Sequence, residues 1–85
     1  MKNKKSTDYQ PISCNFYDLL EAAATRRDRV TIRYRGEKGQ VLEIEAVITD
    51  LRASQGEEFI YLDNGIYFRL DRILSIDGEE LKGYC

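Results

Sequence analysis

The chain has 85 residues, 42% of them hydrophobic and 33% charged, and a formal net charge of −2. This length allows one compact domain, because domains average ~100–150 residues and cores below ~70 residues are already marginal. The sequence has no histidine and two cysteines, Cys14 and Cys85, which argues against a structural zinc site with four such ligands. Two cysteines do not make a disulfide framework either. We therefore expect free thiols in a reducing compartment, and a Cys14–Cys85 disulfide bond is the less favoured alternative.

The two parts of the chain differ in charge. Residues 1–38 hold nine Lys or Arg against five acids, and residues 39–85 hold four against ten. An arginine cluster in the first part can bind nucleic acid, but an acidic remainder argues against a general nucleic-acid-binding domain, which is usually strongly basic. No apolar run approaches the ~18 residues of a membrane span, and no apolar signal segment follows Met1. The expected location is the cytoplasm. The arginine cluster consists of Arg26, Arg27, Arg29, Arg33 and Arg35.

The N-terminal part predicts a tail and one helix. Residues 1–8 are polar and predict a flexible tail. A helix is expected from about Asn15 to Arg27, because Asn15 is a favourable N-cap residue and Asp18 follows it by three positions. Asp18 and Glu21 lie at helical spacing on one face. The apolar stripe of this helix consists of Phe16, Leu20 and Ala23, and the same stripe predicts the packing side.

From Arg29 onward the apolar period changes to two, which predicts β-strands. Residues 50–57 form a predicted polar loop, and Asn64-Gly65 predicts a tight hairpin turn. One helix followed by antiparallel strands predicts a mostly β domain over residues 9–78, a small bent five-stranded antiparallel sheet or barrel, with residues 79–85 as a C-terminal tail. The five strands are expected at about residues 29–35, 42–48, 58–62, 66–70 and 73–76, and Gly65 is expected to have a positive φ. The predicted core positions are Leu20, Ala23, Val30, Ile32, Leu42, Ile44, Ile48, Ile60, Phe68, Leu70 and Ile73.

The N-terminal segment resembles the opening of the Rof family, the Rho-binding antiterminators of bacteria. The similar residues follow the pattern Tyr9-Gln10-Pro11-Ile12-x-Cys14-x-x-Tyr17-Asp18-x-Leu20-Glu21. The similarity continues at Asp50-Leu51 and at Arg69-Leu70-Asp71-Arg72-Ile73 with Ser75, and it covers most of the chain. Where the enterobacterial form has two acids after the cysteine, this chain has Asn15 and Phe16.

The resemblance implies an Sm-like fold, with an N-terminal helix packed on a bent five-stranded sheet. It also implies binding to the transcription termination factor Rho, an RNA-dependent hexameric helicase, at its primary RNA-binding region, so that termination is relieved. Carboxylates can occupy an arginine-lined groove in place of phosphates, and a tyrosine can imitate a stacked base. The expected Rho contacts are Tyr17, Asp18 and Glu21, with Tyr9, Gln10, Asn15 and Asp28 as secondary contacts.

Other functions stay open at this stage. The alternative is an Sm-like single-stranded RNA-binding module that uses the cluster Arg26–Arg35. Cross-strand pairing with Glu43 and Glu45 explains the same arginines as a solvated face, so direct RNA binding is not expected. We see no nucleophile–base pair, metal set or Gly-rich phosphate loop. We therefore expect a monomer without enzyme activity, cofactor, metal, DNA or membrane binding.

Two further residues have structural interpretations. Asp71 is expected to accept local backbone hydrogen bonds at the turn into the last strand. Cys14 stands just before the predicted helix, and with no histidine near it, we expect a buried small apolar side chain rather than a reactive thiol.

Overall fold

The computed structural model describes residues 12–81, in which one helix is followed by six strands. The elements are α1 (Cys14–Arg26), β1 (Arg29–Arg35), β2 (Val41–Ser54), β3 (Glu57–Leu62), β4 (Tyr67–Arg69), a 3-10 helix (Leu70–Arg72), β5 (Ile73–Ile76) and β6 (Glu79–Glu80). The strands form an antiparallel sheet in the order β4-β3-β2-β1-β5-β6. The expected mostly β fold with one N-terminal helix is confirmed, but the sheet has six strands rather than five and does not close into a barrel.

Helix α1 begins earlier than the sequence suggests. The N-cap residue is Ser13, whose hydroxyl accepts a hydrogen bond from the Phe16 amide at 3.1 Å. Asn15 therefore lies inside the helix, and the capping box with Asp18 was a wrong prediction. The helix ends as expected, because Arg27 adopts the left-handed conformation with φ 59° and this conformation ends helices.

Strand β2 bends the sheet. Residues 41–47 of this strand pair with β1, and residues 48–54 pair with β3. The register shifts between Ile48 and Asp50, as at a β-bulge, which increases local twist. The predicted loop at residues 50–57 is wrong, because Asp50–Ser54 continue the strand. Only Gln55 and Gly56 turn the chain, with φ 52° and 82°, the signs expected of a type I′ turn.

A second short hairpin extends the fold at its C-terminal side. Asp77 and Gly78 have φ 48° and 87°, again the signs of a type I′ turn. The turn leads into β6, where the sequence predicts the start of a loose tail. The Asp77 carboxylate also accepts a hydrogen bond from the Thr31 amide at 2.8 Å, so this hairpin is joined to β1.

The core lies between α1 and the concave side of the sheet. Leu20, Ile32, Ile48 and Ile60 are fully buried, as the alternation predicts. Leu42 was predicted in the core but is 37% exposed, because the first residues of β2 extend beyond the area that the helix covers. The other predicted core positions, except the half-buried Ile44, are confirmed; they are Ala23, Val30, Phe68, Leu70 and Ile73.

The turn between β3 and β4 has a different form from the predicted tight turn. The Gly65 amide donates to the Leu62 carbonyl at 3.1 Å, and the Leu62 amide donates to the Ile66 carbonyl at 2.9 Å. Gly65 has φ 89°, and Asn64 is not among the residues with positive φ. This is a three-residue loop with glycine in the left-handed position, which is a common hairpin connection. The expected positive φ of Gly65 is confirmed.

We expect Gly65→Val to lower the free energy of unfolding by roughly 1–2 kcal/mol, because a non-glycine residue is strained at this φ. A Cβ atom at position 65 would meet nothing within 4 Å, so the cost is conformational and not steric. Gly65→Asn is the matched control, since asparagine tolerates the left-handed region. Urea denaturation of both variants measures the difference, and equal losses would contradict this explanation.

Candidate partner-binding face

Helix α1 and the bend of β2 form a shallow surface pocket. Tyr17 and Glu21 lie one helical turn apart and line this pocket together with Thr49, Asp50 and Leu51. Spacing of four residues places two helical side chains on the same face. Two of the three expected Rho contacts, Tyr17 and Glu21, therefore share this pocket with residues of β2. These β2 residues lie outside the N-terminal motif. Ala24 and Thr25 complete the lining.

Tyr17 lies near three carboxylates from three elements. Burial raises the pKa of its phenol above the ordinary value near 10, and the negative charges of Glu21, Glu58 and Asp50 raise the pKa further, in that order. The phenol therefore stays protonated at neutral pH and keeps its hydroxyl donor. We call Tyr17, Asp18, Glu21, Asp50 and Glu58 the acidic face.

Asp50 is held in place by a neighbour on the same strand. Arg52 Nε lies 2.6 Å from Asp50 Oδ2, and this hydrogen bond is the main reason that the pKa of Asp50 is lowered. The Asp50 carboxylate therefore keeps its charge to lower pH than an ordinary aspartate. The Arg52 guanidinium also lies 5.0 Å from the centre of the Tyr61 ring, a cation–π distance. Arg52 thus orients one carboxylate of the acidic face.

The other predicted Rho contacts do not all lie on the acidic face. Asp18 is exposed on α1 and borders Tyr17 and Glu21 around the helix. Asn15 is also exposed. Asp28 lies on the other edge of the helix, 3.5 Å from Arg26 Nε, and it lines a separate depression with Leu19. The predicted contacts Tyr9 and Gln10 lie outside the described residues.

The arginine cluster is exposed along and before β1. Arg33 pairs with Glu43 across the β1–β2 ladder, and their side chains lie 4.0 Å apart. Glu45 is opposite Thr31, and its carbonyl accepts a hydrogen bond from Arg29 at 3.5 Å. The predicted cross-strand pairing is therefore confirmed for Glu43, whereas the contact at Glu45 involves the backbone.

Two structural interpretations need correction. The Asp71 carboxylate accepts two hydrogen bonds from the Arg69 side chain, at 3.1 and 3.0 Å, whereas we had expected backbone donors. Glu57 lies 3.4 Å from the same guanidinium. Cys14 is exposed and disulfide-bonded, so the expectation of a buried free thiol is wrong. Cys85 lies outside the described residues.

Removing the negative charge of Glu21 should lower the pKa of Tyr17. In Glu21→Gln we expect the pKa to fall toward 10, but not to reach it, because burial is the largest cause of the raised value. NMR titration of tyrosine carbon-13 signals measures this change. Glu43→Gln is a control of equal charge change outside the acidic face, and an equal shift in both variants would contradict a local effect.

The carboxylates of the acidic face act as separate acceptors. Within residues 12–81, no three acidic or cysteine side chains are grouped so that they could hold a metal ion. In the same described range, no helix is long and apolar enough to cross a membrane. The sequence suggested neither Asp50 nor Glu58 as a contact, although Asp50 belongs to the resemblance at Asp50-Leu51. The packing of α1 on β2 places Asp50 in the pocket with Tyr17, and the charge of Glu58 also acts on Tyr17.

Comparison with known proteins does not assign the chain. No known protein family matches the sequence, and no curated protein matches it significantly.

Proposed function

We propose that this protein is a member of the Rof family that binds the transcription termination factor Rho and blocks its primary RNA-binding region. The observation that supports this proposal is that Tyr17 and Glu21 of α1 line one surface pocket with Asp50 of β2, with the exposed Asp18 beside them. The resemblance at residues 9–21 supports it independently.

The acidic face suits a groove that binds RNA. Such a groove is lined by Lys and Arg that meet phosphates. Carboxylates accept charge-assisted and bidentate hydrogen bonds from arginine, as phosphates do. Tyr17 supplies an aromatic ring next to the acceptors, which is the combination that a nucleotide offers. A protein of this kind competes with RNA and has no need of a catalytic group.

The first experiment is co-purification of the tagged protein with the N-terminal region of Rho. We expect a complex that dissociates as salt is raised, because both surfaces are charged and exposed charges are screened. Single-stranded RNA added to the complex should displace this protein. Failure to co-purify at low salt would reject the proposal, and RNA that stays bound to the RNA-binding region of Rho within the complex would reject blockage of that region.

The alternative is a single-stranded RNA-binding module that uses the arginine cluster. The exposed positions of Arg26, Arg29 and Arg33 leave this possible, whereas the Arg33–Glu43 ion pair lowers the local positive charge. An electrophoretic shift with RNA, with and without Rho, separates the two functions. A module that uses the arginine cluster shifts RNA alone and loses this shift in Arg29→Ala with Arg33→Ala, whereas a competitor releases RNA from Rho.

The proposed partner is a bacterial transcription factor, which implies a cytoplasmic site of action. Cytosolic thiols are kept reduced, whereas Cys14 is disulfide-bonded in the structure. Thiol trapping with an alkylating reagent during cell lysis tests the compartment. Complete alkylation of Cys14 is the result expected for a cytoplasmic protein.

A further inference from the structure

The open sheet leaves a groove that shares no residue with the acidic face. The groove has a volume of about 800 Å³ and lies between edge strand β4 and the end of the β1–β2 hairpin. This volume falls within the range of ligand sites, roughly 300–1,000 Å³. Tyr34 from β1 and Phe68 from β4 stack at its base, with ring centres 4.2 Å apart, so the base is aromatic and rigid.

One wall of the groove carries an exposed aromatic ring. Tyr67 is 60% exposed, although its ring stacks on Tyr61 at 5.2 Å between centres. Phe59 lines the groove beside it. An exposed tyrosine supported by a second tyrosine is a stacking platform for a planar group, because every nucleic-acid base has a π-face.

The groove also contains cations that have no acidic partner. Arg35 donates to the Gly39 carbonyl at 3.1 Å, and Arg72 donates to the Arg35 carbonyl at 3.4 Å. Within residues 12–81, neither arginine forms an ion pair. Arg69, the third arginine of the groove, is balanced by Glu57 and Asp71. Arg72 thus reaches the end of β1, where two guanidinium groups line one groove without a bound carboxylate. A bound anion would supply the negative charge with which neither guanidinium forms an ion pair within residues 12–81.

We propose that this groove binds a nucleotide of a single-stranded nucleic acid. The base stacks on Tyr67, and the phosphate is bound by Arg35 and Arg72. The groove is open along one side, as a continuous strand requires. Glu37, which also lines the groove, disfavours a purely anionic ligand and makes the aromatic contact necessary. This inference is independent of the Rho proposal.

The groove departs from the sequence-based expectation that direct RNA binding is absent. Of the arginine cluster, only Arg35 takes part, and Tyr67 and Arg72 come from elements that are distant in the sequence. The acidic face lies on α1, β2 and β3 and shares no residue with the groove. The two sites can therefore be tested separately.

The test is fluorescence anisotropy at low salt with a fluorescein-labelled oligouridine of about ten nucleotides, a length within the range of known single-strand sites. We expect the parent protein to bind. Tyr67→Ala should weaken binding about fivefold or more, as loss of one stacked base does. Arg35→Ala with Arg72→Ala should weaken binding further and reduce its dependence on salt. Arg33→Ala removes one positive charge from the arginine cluster outside the groove. We expect binding within about twofold of the parent, and a loss equal to that of the double arginine variant would assign RNA binding to the cluster and overturn the groove.

A competition assay shows whether the groove recognises a whole nucleotide or only its phosphate. Uridine monophosphate should displace the oligonucleotide, and inorganic phosphate at the same concentration should not. No anisotropy change with the parent protein, or equal displacement by inorganic phosphate, would overturn the proposal. Unchanged binding by the double arginine variant would also overturn it, provided that circular dichroism shows the variant to be folded. Rho is absent from this assay, so its outcome does not depend on the proposed function.

Discussion

Reversal of two carboxylates on α1, with Asp18→Lys and Glu21→Lys in one chain, is expected to weaken binding to the N-terminal region of Rho by at least about 100-fold. Each lost charge-assisted contact is worth ~1.5–3 kcal/mol, and two such losses correspond to this factor or more. Each lysine adds repulsion against a positive groove. Isothermal titration calorimetry at low salt measures the change.

The double reversal should not unfold the protein, because Asp18 and Glu21 are exposed and Ser13 supplies the N-cap. Glu43→Lys with Glu45→Lys is the matched control. It changes the net charge equally at exposed positions of β2, outside the acidic face. If both variants lose binding equally, the effect is one of overall charge and the proposed face is wrong.

The substitution Arg33→Ala tests whether Rho binds to the acidic face or to the arginine cluster on β1. We expect it to leave Rho binding nearly intact, because Arg33 is an exposed strand residue paired with Glu43 and exposed pairs contribute little. Loss of Rho binding in Arg33→Ala, together with normal binding of the double reversal, would move the functional surface to β1. The RNA-binding alternative would then be favoured.

The helix could be predicted almost completely, because its apolar stripe and its positive last turn are local signals. Its first residue could not, since Ser13 and Asn15 are both suitable N-cap residues and the structure uses Ser13. Strand β1 alternates clearly, and strands β1 and β5 were predicted with their observed bounds.

The length of β2 was missed for a physical reason. After Ile48 the strand has a register shift, so the alternation of apolar residues is interrupted. Polar Asp50 and Arg52 then appear as a loop. The bulge is a response to the packing of two halves of the sheet, which a local pattern does not contain.

The acidic face could be predicted only in part, because a local sequence pattern does not contain contacts between distant elements. Tyr17, Asp18 and Glu21 follow from helical spacing, which is a local property. Asp50 joins them only because α1 packs on the bend of β2, and Glu58 of β3 is linked to them through its charge effect on Tyr17. The groove residues Arg35, Tyr67 and Arg72 are also brought together by the sheet alone. Sites made by long-range pairing are invisible to motifs of a few residues.

Leu20→Ala is expected to lower the free energy of unfolding by about 2–5 kcal/mol, the range found for buried leucines. Leu20 is fully buried and joins α1 to the core. An 85-residue domain has a total stability of roughly 4–13 kcal/mol, so this loss is a large share of it. Urea denaturation followed by circular dichroism measures the change.

Leu19→Ala is the control, because Leu19 is the neighbouring helical residue and is 43% exposed. The two substitutions have the same helix propensities, and the control should lose less than about 1 kcal/mol. At a temperature where Leu20→Ala stays folded, it should still bind Rho, since the acidic face keeps its side chains. Equal destabilisation by both substitutions would show that α1 packs on the sheet through a different edge.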